Sequence, residues 1–225
     1  MVMPDGEPQE EDPQEWGKTD TSSVSAEITA CRRNGEWCAI LEKVTGHYFI
    51  RSKLPTFPST GPVQPVVCTG DPQTSNTTAD NYRCQVGDLI DGGTGFNNFP
   101  TCRPDHGWYV LGAIEAHEAY HETRLLPSLE NVAAGAGSLF ESVCVPDVGQ
   151  GQAAAVGQLQ SDPAFEQAED VLFQQWKMDY LALLADDHGS PPGTGGAYGA
   201  QRSVTRPVEQ CICSMAAANG WGPCP

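Results

Sequence analysis

The chain has 225 residues, enough to bury a full core and too few for two equal domains to be comfortable. Its 29 acidic residues against 12 basic ones leave a net charge of -17, which repels nucleic acid phosphates and anionic membrane surfaces and so argues against nucleic acid as a partner. No apolar run approaches the roughly 20 residues of a spanning helix, so helical membrane insertion is not expected.

The opening "MVMPDGEPQEEDPQEW" has neither the basic region nor the apolar core of a signal peptide, so none is expected within the chain. Export by another route, or with a trimmed signal, stays open. Residues 1–22 are acidic, rich in Pro and Gln and poor in large apolar side chains, and read as a flexible leader. Residues 23–225 then read as one domain with a β-rich part (23–104), a helical part (105–190) and a cysteine-containing tail (191–225). Nine cysteines are scattered along this length with no C-x-x-C pair. Such spacing reads as disulfides in an oxidising compartment rather than as a thiolate metal cluster, and the odd count leaves one thiol over.

In the β-rich part, short β-prone runs such as "HYFIRS" and "VQPVVCT" lie between turn clusters, which predicts a small, irregular, cysteine-stapled sheet region. The sequon "NTT" at 76–78 reads as a fortuitous match. From residue 105 the pattern changes. "PDHGWYVLGAIEAHEAYHETRLL" has good helix formers and no internal proline, with Val110, Leu111, Ile114 and Leu125 in helical register, and Pro127 is expected to stop it. A second helical stretch, "SLENVAAGAGSLFESV", is weakened at Gly135 and Gly137. Residues 146–160 read as a loop or alanine-rich turn. A strong helix follows in "SDPAFEQAEDVLFQQWKMDYLALLADDHG", capped by Asp162, with Pro163 in its first turn and Phe165, Ala168, Leu172 and Trp176 on one face. After Gly189 the tail returns to loop.

His117 and His121, four residues apart, stand about 40° apart around a helix axis and one turn along it, so two imidazoles can share one ion. Glu118 beside the first histidine completes H-E-x-x-H, in which the carboxylate serves a metal-bound water without being a ligand. Chance gives this pattern in about one chain in a hundred of this composition, which with the helical register favours a site over a solvated helix face.

The run His117-Glu118-Ala119-Tyr120-His121 resembles the active-site helix of the zincin metallopeptidases. That resemblance implies an α+β fold and a zinc-dependent endopeptidase acting on a protein or peptide, with His117 and His121 as zinc ligands and Glu118 as general base. For an exported effector or toxin it also implies a cognate inhibitor or immunity protein as partner. The metzincin continuation is excluded, because Arg124 and Pro127 stand where it needs glycine and histidine. The thermolysin-like spacing points to Glu141 as third ligand. "GTGGAYG" at 193–199 lacks the aspartate of the deuterolysin-like motif. "ADDHG" at 185–189 is similar in placement to bacterial secreted zincins whose long helix ends in an acidic-His-Gly turn. His188 is therefore the first candidate, with Glu141, Asp187 and Asp186 as alternatives. Tyr198 and His106 are candidate oxyanion donors, and Glu115 and Glu122 candidate partners of the imidazoles. The competing reading is a zinc-stabilised interaction module without turnover, and the plainest one a disulfide-stapled protein without metal.

Overall fold

Asn34 (φ 50°) and Gly35 (φ 85°) both have positive φ, the backbone of a two-residue turn whose twist matches that of the strands it joins. It closes a hairpin of two 17-residue strands, β2 (Gly17–Arg33) and β3 (Glu36–Ser52). The computed structural model describes residues 1–4, 17–52, 64–90, 108–189 and 194–225. These cluster into two compact units. The first takes in 1–4, 19–50 and 122–185, and the second 17–18, 51–52, 64–90, 108–121, 186–189 and 194–225. Strands combine with mostly helical later sequence, so the fold is α+β.

In the first unit the sheet runs β1-β3-β2, where β1 (Val2–Pro4) lies parallel to β3 with Val2 opposite Gly46. Strand β6 (Cys144–Pro146) pairs antiparallel with the start of β3, and the directly opposed Cys38 and Cys144 are disulfide-bonded. The core joins the sheet residues Ile28 and Ala39 to Leu129, Phe140, Leu172 and Trp176. Those last four come from α2 (Leu111–Ala133), α3 (Gly137–Glu141) and α5 (Pro163–His188). Asp162 caps α5 by accepting a 2.8 Å bond from the Ala164 amide, and Phe165, Ala168, Leu172 and Trp176 are all buried on one face.

In the second unit α1 (Tyr82–Ile90) packs on α6 (Gly196–Ala218) through Tyr82, Val86, Leu89, Ile212 and Ala216. A two-residue parallel pair, β4 (Gln64–Pro65) with β5 (Trp108–Tyr109), accompanies them. Disulfides Cys68–Cys211 and Cys213–Cys224 anchor α6, and Cys84 is also disulfide-bonded. Cys31 is the free cysteine among the described residues. Asn76 of the sequon spends its amide within its own loop, receiving from Val67 and donating to Pro65.

Several sequence expectations need correction. Val2–Pro4 and residues 17–22 of the expected leader are strand, because the hairpin supplies backbone partners for them. The β-rich part contains the helix α1. Pro127 lies inside α2 rather than ending it. There the Leu125 carbonyl accepts from Ser128 Oγ of the same helix at 2.9 Å and from the buried Trp176 Nε1 of α5 at 3.3 Å, so one local and one tertiary donor support the turn around the proline. Residues 152–160 form α4 (Gln152–Gln160), with Ala155 and Leu159 fully buried, and the tail forms the 23-residue α6. The break at Gly135 and Gly137 is present between α2 and α3. No helix among the described residues is long and apolar enough to cross a membrane.

Candidate metal centre

Three elements of the second unit converge on one point. Helix α2 presents His117 and His121 from adjacent turns, α5 ends on Asp187 and His188, and the first turns of α6 carry Tyr198 and Gln201. Gly189 closes α5 with φ 78°, and the Gly195 amide donates to the His188 carbonyl at 3.3 Å. A Cβ on Gly195 would fall 1.9 Å from the Asp187 carbonyl oxygen, so only glycine lets the chain re-enter against the ligand segment.

His188 Nε2 lies 3.3 Å from His117 Nε2 and 3.1 Å from His121 Nε2. Tetrahedral bonds of about 2.0–2.1 Å from imidazole nitrogen to zinc require nitrogens about 3.3 Å apart, which these separations match. The group His117, His121 and His188 can hold a metal ion.

Hydrogen bonding on the far side of the rings points the same way. His121 Nδ1 is 3.4 Å from Asp187 Oδ2, and a carboxylate only accepts, so Nδ1 carries the proton and Nε2 keeps its lone pair. His117 Nδ1 is 3.1 Å from Gln201 Oε1, which fixes the same tautomer. Both Nε2 lone pairs then face His188 Nε2, a single nitrogen with at most one proton to give. A cation at the convergence would satisfy all three nitrogens.

The electrostatics keep the His117 and His121 rings neutral. Burial, followed by the His121 and His188 imidazoles, lowers the His117 pKa from its ordinary 6.5 to about 4, against smaller opposing effects of Gln201 and Asp187. Burial and then His188 lower His121 to about 4 as well. Near pH 7 both rings therefore have free lone pairs for a metal.

The other sequence candidates fall in different places. Glu118 is 5% exposed, with its carboxyl group packed against the backbone of Gly17 at the start of β2. Asp187 is 3% exposed and supports His121 through its ring, and Asp186 is exposed. Glu141 is exposed in the first unit, 3.4 Å from Arg33. Glu115 is exposed and Glu122 accepts a hydrogen bond from Tyr48, so the imidazole partners are Gln201 and Asp187 instead. Tyr198 is helical rather than in a flexible turn, its ring edge-on to His117 at 5.0 Å and 5.7 Å from His188. His106 lies outside the described residues.

Sequence reasoning missed Gln201 and Gly17. Gln201 follows Tyr198 by three residues and shares its helix face, a signal available only once the glycine-rich tail is read as helix. Gly17 carries no local signal at all. No family model, curated protein or solved structure matches this chain.

Proposed function

We propose that this protein is a zinc-dependent endopeptidase, with His117, His121 and His188 as the zinc ligands and Glu118 as the general base. The observation that carries the reading is the approach of His188 Nε2 to 3.3 Å from His117 Nε2 and 3.1 Å from His121 Nε2, the latter two on an H-E-x-x-H helix. Three imidazoles with a position left for water is a donor set of catalytic zinc sites, whereas structural sites are usually closed by four protein ligands. Bound zinc would supply Lewis acidity and bring the pKa of a coordinated water towards neutrality.

The chain's own residues do the rest. Asp187 and Gln201 hold His121 and His117 in the tautomer that directs Nε2 to the ion, and raise the basicity of both ligands. Glu118 takes the proton of the attacking water and passes it to the leaving amine, so one buried carboxyl group serves as base and then as acid. Tyr198, stacked edge-on against His117, is the candidate donor to the developing oxyanion. The disulfides Cys38–Cys144, Cys68–Cys211 and Cys213–Cys224 favour an extracellular or periplasmic destination, as for an exported enzyme or effector. An effector of this kind would be matched by a cognate inhibitor or immunity protein.

The test joins elemental analysis to one substitution. Stoichiometric zinc in the wild type and in Glu118→Gln, with peptide hydrolysis by the wild type alone, is the expected result. Hydrolysis retained by Glu118→Gln would sink the assignment of the base. Stoichiometric zinc with no hydrolysis by the wild type across a broad peptide library would favour an interaction module.

A further inference from the structure

We infer that Gly17 is a positioning residue for the Glu118 carboxylate; this rests on the peptidase reading for its catalytic meaning, but not for its geometry. Residue 118 lies on a helix face beside a metal ligand, where a glutamate would ordinarily be solvated, yet it is 5% exposed. The backbone of Gly17, the first residue of β2, lies against its carboxyl group. A Cβ built on Gly17 would lie 2.5 Å from Glu118 Oε1, 2.7 Å from Cγ and 2.8 Å from Cδ. Carbon atoms do not approach so closely, so any side chain at 17 forces the Glu118 side chain to move.

The same three atoms make the effect specific. Each belongs to Glu118, so the Glu118 side chain is the first thing that a Cβ at position 17 would meet. Gly17 is extended strand backbone and is absent from the positive-φ residues, so alanine fits the local conformation without strain. A methyl group there would push the carboxylate away from its place without straining the strand backbone. For a general base this matters, because proton transfer depends on reach within about 2.6–3.2 Å.

Two measurements on the full chain decide the inference. In the zinc-loaded protein, Gly17→Ala is expected to lower kcat at least tenfold with KM and zinc stoichiometry unchanged, and the unchanged zinc stoichiometry excludes a smaller folded fraction as the cause. The second measurement needs no activity. Thermal unfolding is followed for wild type, Gly17→Ala, Glu118→Ala and the double variant, and the Gly17→Ala decrease in Tm should disappear once residue 118 is alanine. An equal effect of Gly17→Ala on Tm in both backgrounds, zero included, overturns the inference, as does an unchanged kcat in an active enzyme. If the wild type proves inactive, the peptidase reading fails by itself and the unfolding cycle alone decides the Gly17 placement.

Discussion

Asp187 Oδ2 stands 3.4 Å from His121 Nδ1, while the next residue, His188, brings its Nε2 to 3.1 Å from the other nitrogen of the same ring. Two consecutive residues at the end of α5 thus grip one imidazole from both sides. The aspartate fixes the tautomer and the histidine completes the group that the tautomer serves. A cation held by the three imidazoles would also offset the cost of placing the Asp187 carboxylate at a helix C-terminus, where it opposes the dipole.

Removing the charge of Asp187 while keeping its shape should weaken the metal site without abolishing it. Asp187→Asn is expected to reduce zinc affinity about 10–100-fold, the usual cost of losing an outer partner of a histidine ligand. Competition against a chromophoric chelator would measure it. Unchanged affinity would show that Asp187 packs beside His121 without directing it.

Removing His188 should abolish the linkage between metal and stability. Zinc binding only the folded chain would stabilise it by about 4 kcal/mol at a free concentration 1,000 times Kd. Treatment with EDTA should therefore lower the Tm of the wild type and leave that of His188→Ala unmoved. Calorimetry of the two proteins with and without chelator makes the comparison, and an equal chelator response in both would exclude His188 as a ligand.

Proton linkage gives a third prediction, made for the metal-free protein. The folded pKa values of His117 and His121, about 4, lie below the ordinary 6.5 that the unfolded chain would show. Between those values the unfolded chain binds more protons, so the stability associated with the neutral rings is fully present above pH 6.5 and is lost as the pH falls towards 4. Below about pH 4 the slope from these groups should vanish. Urea unfolding at pH 7, 5.5 and 4.5 would show the decline. Carboxylates titrate in the lower part of that range too, so the informative quantity is the difference from a His117→Gln/His121→Gln variant, which should be flatter. Parallel profiles would show that burial does not hold these rings neutral.

What was legible in the sequence was local. The spacing of His117 and His121 is one helical turn, and the caps, turns and apolar face of α5 lie within a single run, so neighbours along the chain determine them. His188 stands out through the resemblance of "ADDHG" at that helix's end to the acidic-His-Gly turn of bacterial secreted zincins. The Asn34-Gly35 turn is equally local, yet the two 17-residue strands it joins do not show in the short β-prone runs of the sequence. Other features depend on partners far away in sequence. Gly17 matters only because Glu118 packs on it, and Gln201 only because α6 is a helix. A glycine-rich start, Pro207 and two cysteines hid that helix, which is held by α1 and by disulfides to Cys68 and Cys224.

The proline within α2 is the clearest case of tertiary structure overriding local preference, and it yields a stability prediction unconnected with the metal. Ser128 is 1% exposed, donates to the Leu125 carbonyl at 2.9 Å and accepts from Trp176 Nε1 at 2.8 Å. Trp176 is wholly buried, so its indole N–H has no access to solvent. Ser128→Ala would leave that donor with the Leu125 carbonyl alone, at 3.3 Å, in the turn where Pro127 already lacks an amide proton. Leaving a buried donor poorly satisfied costs about 1–3 kcal/mol, and the value here should fall in the lower half of that range because one acceptor remains. Urea unfolding of Ser128→Ala should show a reduced midpoint with an unchanged slope. Zinc content should stay at wild-type level, since Ser128 bonds to Leu125 and Trp176 rather than to the histidine group. A midpoint equal to that of the wild type would show that α2 passes through Pro127 without help from the Ser128 and Trp176 pair.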